Sequence, residues 1–150
     1  MRFELTFPAG WRPVPPAEAG AISAAVVAVH EGPPDGGFTA NLTVTEQHPD
    51  PRLPLAVVAE ESVRRLAAAA AGVRIRQRTP VGTPDAPGLA QVLDLTVAGQ
   101  PSLVQCQVYV ALGEPAARVV LELVLTCTKA QLDDVFDGFQ EFVAGVRPAG

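Results

Sequence analysis

Apolar and polar residues trade places with a period of two over much of this chain and with a helical period over two stretches. Residues 2–7 set Phe3, Leu5 and Phe7 against Arg2, Glu4 and Thr6, a short half-buried strand that Pro-Ala-Gly then stops. The proline-rich "WRPVPPAEAG" that follows reads as a loop. Residues 21–30, "AISAAVVAVH", are apolar on both parities, which fits a strand covered on both faces or a short buried helix, and the β-branched Ile and Val favour the strand. After the turn "EGPPDGG", residues 38–47 place Phe38, Ala40, Leu42 and Val44 on one side and Thr39, Asn41, Thr43 and Thr45 on the other. Residues 55–72 predict a helix that begins beside Pro54 and stops at Gly72. Its buried stripe runs through Leu55, Val58, Ala59, Ser62, Leu66 and Ala69. Four strands follow at 73–82, 89–97, 102–112 and 117–128. A last helix over about 130–145 carries Leu132, Val135, Phe136, Phe139, Phe142 and Val143 at i, i+3, i+4 and i+7 spacing. The order βββαββββα describes a single α+β domain over residues 1–150. Its sheet of six to seven strands is mostly antiparallel, and both main helices are expected on one face.

The turns "AGQP" and "GEPA" suggest a register for the last three strands: Asp94 opposite Gln105, Gln107 opposite Glu122, and Cys106 opposite Leu123. That register turns Leu93, Leu95, Val104, Cys106, Leu121 and Leu123 toward the helices. The opposite face then holds Asp94, Leu103, Gln105, Gln107, Tyr109, Val120, Glu122 and Val124. Aliphatic residues with few formal charges, interleaved with two glutamines that both donate and accept, suit contact with a protein or peptide. These eight residues are the candidate partner-binding set, and the Thr/Asn row of 39–45 extends it. A homodimer interface, or cover by the chain's own loops, is the competing use of the same face.

Charge and length narrow the function. With 150 residues, 48% of them apolar, the chain can form one sizeable core. Its net charge of −5 argues against nucleic-acid binding, which needs an excess of Lys and Arg, and Lys129 is the only lysine. No apolar run approaches the ~20 residues that span a bilayer. The start "MRFELTFPAGW" lacks the apolar core of about 7–15 residues that an export signal requires. The expectation is a soluble cytoplasmic protein without membrane insertion.

Candidate chemistry is sparse. His30 and His48 fall at opposite ends of the hairpin formed by 21–30 and 38–47, which argues against a shared metal and for exposed strand-end histidines. Cys106 and Cys127 share a face but lie four positions apart in the assumed register. At ~3.3 Å per residue that is too far for a bridge, so both read as buried free thiols. Asp133, Asp134 and Asp137 read as the solvated side of the last helix, complementing its dipole in the first turns. Arg74, Arg76 and Arg78 alternate along one side of their strand, a charged guard against edge-to-edge pairing or a seat for an acidic partner. Trp11 reads as a pin between the first strand and the core. No glycine-rich phosphate loop is present, no motif implies a cofactor, and no acid, base and nucleophile stand together as an enzyme would require.

The stretches "LTFPAGWRPV", "FTANLTVTEQ", "VYVALGEPAARVVLELVLT" and "DDVFDGFQEFVAGVR" together resemble the PsbP-like fold, used also by Mog-type Ran-binding proteins. In texture the chain is most similar to LpqN-type lipoproteins and Eag-type secretion chaperones. The resemblance implies a sheet with helices packed on it, and a protein that binds other proteins or hydrophobic segments and does not catalyse. For an Eag-type member that means a chaperone or adaptor holding a hydrophobic segment of a secreted partner. For an LpqN-type member it means binding of a cell-envelope component.

Overall fold

The computed structural model describes residues 3–17 and 26–148. In chain order the elements are β1 (Phe3–Glu4), β2 (Trp11–Val14), β3 (Val26–His30), β4 (Asn41–Gln47), α1 (Leu55–Ala69), β5 (Gly72–Gly82) and β6 (Pro87–Thr96). They continue with β7 (Leu103–Leu112), β8 (Val119–Thr128), α2 (Lys129–Ala144) and β9 (Arg147–Pro148). Strands β2 to β8 form one antiparallel seven-stranded sheet in the order β2-β3-β4-β8-β7-β6-β5, so the α+β class and the element order stand as expected. Residues 21–25 of the predicted second strand lie outside the described residues.

At the amino-terminal end the expected strand and loop change roles. Trp11–Val14 is an edge strand paired with β3, whereas Phe3–Glu4 pairs with Arg147–Pro148 in a separate ribbon. Trp11 is buried in the main core, and its indole fixes the neighbouring glycine. A Cβ on Gly138, in mid-α2, would lie 3.3 Å from Trp11 Nε1 and 3.5 Å from Pro8 Cγ, so glycine there lets the "FPAGW" segment lie against the helix. Phe7 stacks on Phe142 at 5.3 Å between ring centres, closing the same corner.

The turn before β4 is equally specific. Gly36 and Gly37 both have positive φ, and Asp35 and Phe38 exchange two 2.9 Å backbone hydrogen bonds around them. Asp35 Oδ2 then accepts from Thr128 Oγ1 at 2.7 Å. Thr128 caps α2 in a capping box with Gln131, whose side-chain amide donates to Phe38 O at 2.9 Å. The "PDGGF" turn is thereby fastened to the start of the last helix. Because α2 begins at Lys129, Asp133, Asp134 and Asp137 are exposed but lie beyond its first turn, where the dipole argument loses force.

The helices do not share a face. Helix α2 lies on one side of the sheet, packing Val135, Phe139 and Phe142 against Leu42, Val104, Leu123 and Leu125. Helix α1 lies on the other side, packing Val58 and Ala59 against Leu89, Tyr109, Ala111 and Val120. The physical reason is visible in β8: Val119, Val120, Leu121, Leu123, Val124 and Leu125 are apolar on both parities, and a strand buried on both faces needs cover on both. Helix α1 also ends earlier than Gly72, because Ala71 N–H bonds to Thr96 O and the chain is already entering the ladder with β6.

Register supplies a second correction. Asp94 pairs with Val104 and Leu93 with Gln105, one residue away from the hairpin expectation. Since strand side chains alternate, this single step moves Leu93 and Leu95 to the α1 face and Asp94 to the α2 face. The β7–β8 pairing is displaced by two residues, with Cys106 opposite Leu125 and Gln107 opposite Val124, which leaves its faces as expected. A bulge at Arg76 likewise breaks the arginine row: Arg74 faces Asp94 on one side of the bulge and Arg78 faces Gln91 on the other.

Candidate functional site

Each helix covers only part of its face. Helix α1 lies over β5, β6 and β7, leaving β4 and part of β8 open beside it, while α2 lies over β7 and β8, leaving β5 and β6 open. Two diagonally opposed recesses result.

On the α1 face, alternate residues of β6 and β7 build a polar chain beneath the helix. Arg78 donates through Nε and Nη2 to Gln91 Oε1 at 3.0 and 2.9 Å, and Gln91 Nε2 donates to Gln107 Oε1 at 2.7 Å. Tyr109 Oη donates to the same oxygen at 2.8 Å, and Gln107 Nε2 donates onward to Gln105 Oε1 at 2.8 Å. Gln107 is 1% and Tyr109 0% exposed, so these groups need internal partners and have them. The chain ends at a polar pocket of about 370 Å³ between the second half of α1 and strands β4, β7 and β8. Ser62 and Arg65 reach it from the helix, Asn41 and Thr43 from β4, Gln105 from β7 and Glu122 from β8.

Glu122 is the chemically distinctive member. Burial pushes its carboxyl above the ordinary glutamate range, partly offset by Arg65 through space and by Tyr109, Gln47 and Ser62 as hydrogen-bonding neighbours. Gln47 Nε2 donates to Glu122 Oε2 at 3.0 Å. Burial, with Glu122 alongside, raises the Tyr109 phenol well above its usual value, so it stays protonated at any physiological pH.

On the α2 face the recess is apolar, with a volume of about 410 Å³. Val92 and Val108 form its floor, Phe136, Phe139 and Val143 of α2 one wall, and Val81 of β5 the other. It opens beside β5, an eleven-residue edge strand on which Ile75 and Val81 are 43% and 39% exposed. Cys106 also lines it.

The eight residues expected to meet a partner are thus divided. Gln105 and Glu122 are half-buried and, with buried Val124, line the polar pocket. Gln107 also lines that pocket, although it is buried. Tyr109, Leu103 and Val120 are buried within the chain itself, the last packed under α1, so they are not a free surface. Asp94 is on the other face, with Arg76 Nε 2.9 Å from Oδ1 and 3.0 Å from Oδ2. The Thr/Asn row does run into the pocket, through Asn41 and Thr43. Gln91 was missed because the assumed register turned it away. Its signal was the lone glutamine in "LAQVLDL", a polar residue flanked by apolar ones on both sides.

The remaining candidates are structural. His30 is half-buried against Trp11, 5.0 Å between ring centres, and its Nδ1 accepts from Gly32 N–H, so it is not the exposed strand-end residue expected. His48 is exposed, 3.8 Å from Glu46. Cys127 faces Val104, placing it diagonally beside Cys106 and closer than the assumed register allowed; both thiols are free. Burial pushes Cys106 up to about 11 and Cys127 up to about 12, which holds neither as a nucleophilic thiolate. Among the described residues no cluster of His, Cys, Asp and Glu could hold a metal, and no helix is long and apolar enough to cross a membrane.

No protein-family model matches the sequence, and no curated protein matches it. Solved structures do. LpqN of Mycobacterium tuberculosis, described as involved in cell envelope biogenesis, superposes with a TM-score of 0.66 at 15% identity, covering 96% of this chain and 81% of LpqN. The yeast (Saccharomyces cerevisiae) Ran-binding protein Mog1p gives 0.62 at 13% identity over 97% and 89% of the two chains. The fold is that of Mog1p and PsbP. The cyanobacterial PsbP of Synechocystis agrees, at 0.62 and 11% identity over 98% and 86%. At these identities the Mog1p/PsbP-like fold is shared across nearly the whole chain, and the fold alone is what the likeness carries.

Proposed function

We propose that this protein is a non-enzymatic cytoplasmic binding protein, a chaperone or adaptor that holds a hydrophobic segment of a secreted partner. The observation that carries the proposal is the apolar recess beside β5. A groove walled by Val81, Val92, Val108, Phe136 and Val143 at an open sheet edge can take several aliphatic side chains out of water. The candidate contact face for an apolar segment therefore moves from the α1 side, where the uncovered part is polar, to the uncovered part of the α2 side. Free buried thiols suit a reducing compartment. Among the described residues no acid, base and nucleophile stand together, which favours binding over catalysis. The Eag-type resemblance read from the sequence points the same way.

A second reading, binding of a cell-envelope component, is favoured by the LpqN superposition and would use the polar pocket. Photo-crosslinkers at Val81, at Thr43 and at Asp133 in the native cell separate the two. Capture of an apolar segment of one secreted protein from Val81 alone supports the chaperone, and capture of envelope material from Thr43 supports the alternative. A Val81 probe that captures no more than the Asp133 control rules out the chaperone reading.

A further inference from the structure

The polar pocket carries an inference of its own, independent of the groove on the other face. Arg65 of α1 and Glu122 of β8 both line it, yet among the ion pairs of the described residues they form none with each other. Opposite charges thus share one small recess with space between them. The neutral groups around them retain unspent capacity. Gln105 gives its Oε1 to Gln107, which leaves its Nε2 to donate, and Asn41 gives Nδ2 to Thr39 O, which leaves its Oδ1 to accept. Thr43 adds a hydroxyl that does either.

This lining discriminates by charge. A simple cation would be drawn to Glu122 but repelled by Arg65, and a simple anion the reverse. An apolar ligand would leave the amides and hydroxyls without partners, which costs more than its burial returns. A molecule bearing both charges a few bonds apart satisfies both walls at once. We infer that the pocket binds a small zwitterion, a free α-amino acid, with its carboxylate toward Arg65 and its ammonium toward Glu122 and Asn41 Oδ1. At about 370 Å³ the pocket is large enough for an amino acid and lies at the small end of ligand sites, which run from roughly 300 to 1,000 Å³.

The test is calorimetric titration and thermal unfolding of the full chain with each of the standard amino acids at millimolar concentration. N-acetyl-alanine, which lacks the ammonium, and ethylamine, which lacks the carboxylate, serve as blocked probes. At least one free amino acid is expected to bind and raise Tm while neither blocked probe does. Glu122→Gln and Arg65→Ala, each first shown to be folded by circular dichroism, should lose about tenfold or more in affinity, and Asp133→Asn should lose none. The inference is overturned if no free amino acid binds, if a blocked probe binds as well, or if affinity survives both pocket variants.

Discussion

The two faces of this sheet are built from alternate residues of the same strands, yet they are held together differently. Under α2 the contacts are aliphatic and aromatic: Phe139 and Phe142 meet Leu123, Leu125 and Val104, and the part left uncovered is a greasy groove. Under α1 a smaller apolar patch around Val58, Ala59 and Tyr109 adjoins a run of glutamines, and the part left uncovered is a polar pocket holding a half-buried carboxylate. Shape on the α2 side follows from filling space. On the α1 side it follows from giving every buried amide a partner, a condition that fixes rotamers and positions as well as excluding water. One sheet thereby offers two recesses of opposite chemistry.

That contrast can be broken from either side. The largest effect is expected from Phe139→Ala, which deletes a fully buried ring under α2 and should cost about 3–5 kcal/mol in denaturant unfolding. Val58→Ala under α1 should cost about 2 kcal/mol, reflecting the smaller side chain removed. Next in size is Gln107→Leu. It keeps bulk but strips the acceptor shared by Tyr109 Oη and Gln91 Nε2, so a loss of about 1–3 kcal/mol is expected by the same measurement. Were Gln107→Leu to stabilise the protein, the polar chain would be incidental and the contrast between the faces would collapse.

Smaller and pH-dependent is Glu122→Gln. The native carboxyl titrates above the ordinary value of 4.5, so between 4.5 and the native pKa the folded state binds more protons than the unfolded one. The favourable contribution of Glu122 is fully present below 4.5 and is lost as pH rises through the native pKa. The variant should flatten that descent and be at least as stable as the wild type near pH 7. A steeper decline in the variant would mean that Arg65 and Gln47 outweigh burial. The smallest change belongs to Arg74→Ala, at an exposed position, expected within about 0.5 kcal/mol in the same assay.

Much of the fold was readable from spacing. Period-two alternation located β4, an apolar run bounded by turns located β8, and the heptad-like run from Leu132 to Val143 located α2. The polar pocket was readable only in fragments: Asn41, Thr43, Gln105, Gln107, Glu122 and Val124 were singled out, whereas Ser62 and Arg65 were assigned to a helix with no known position relative to them. Gln91 and Asp94 exchanged faces through a one-residue register step, and periodicity within a strand carries no information about which neighbour stands opposite. The apolar groove went unseen because its walls come from β5, β6, β7 and α2, elements separated by tens of residues.

The sequence by itself determined the alternation of strands and helices and the apolar side of each, because those depend on local geometry with periods of 2 and 3.6 residues. It also contained, in the doubly apolar "VVLELVL" of β8, the demand for cover on both faces. Only the tertiary structure decided which helix answers that demand on which side. The choice rests on long-range packing of Val58 and Ala59 against Tyr109, and of Phe139 against Leu123, and on a hairpin register that a single residue of turn geometry can reverse.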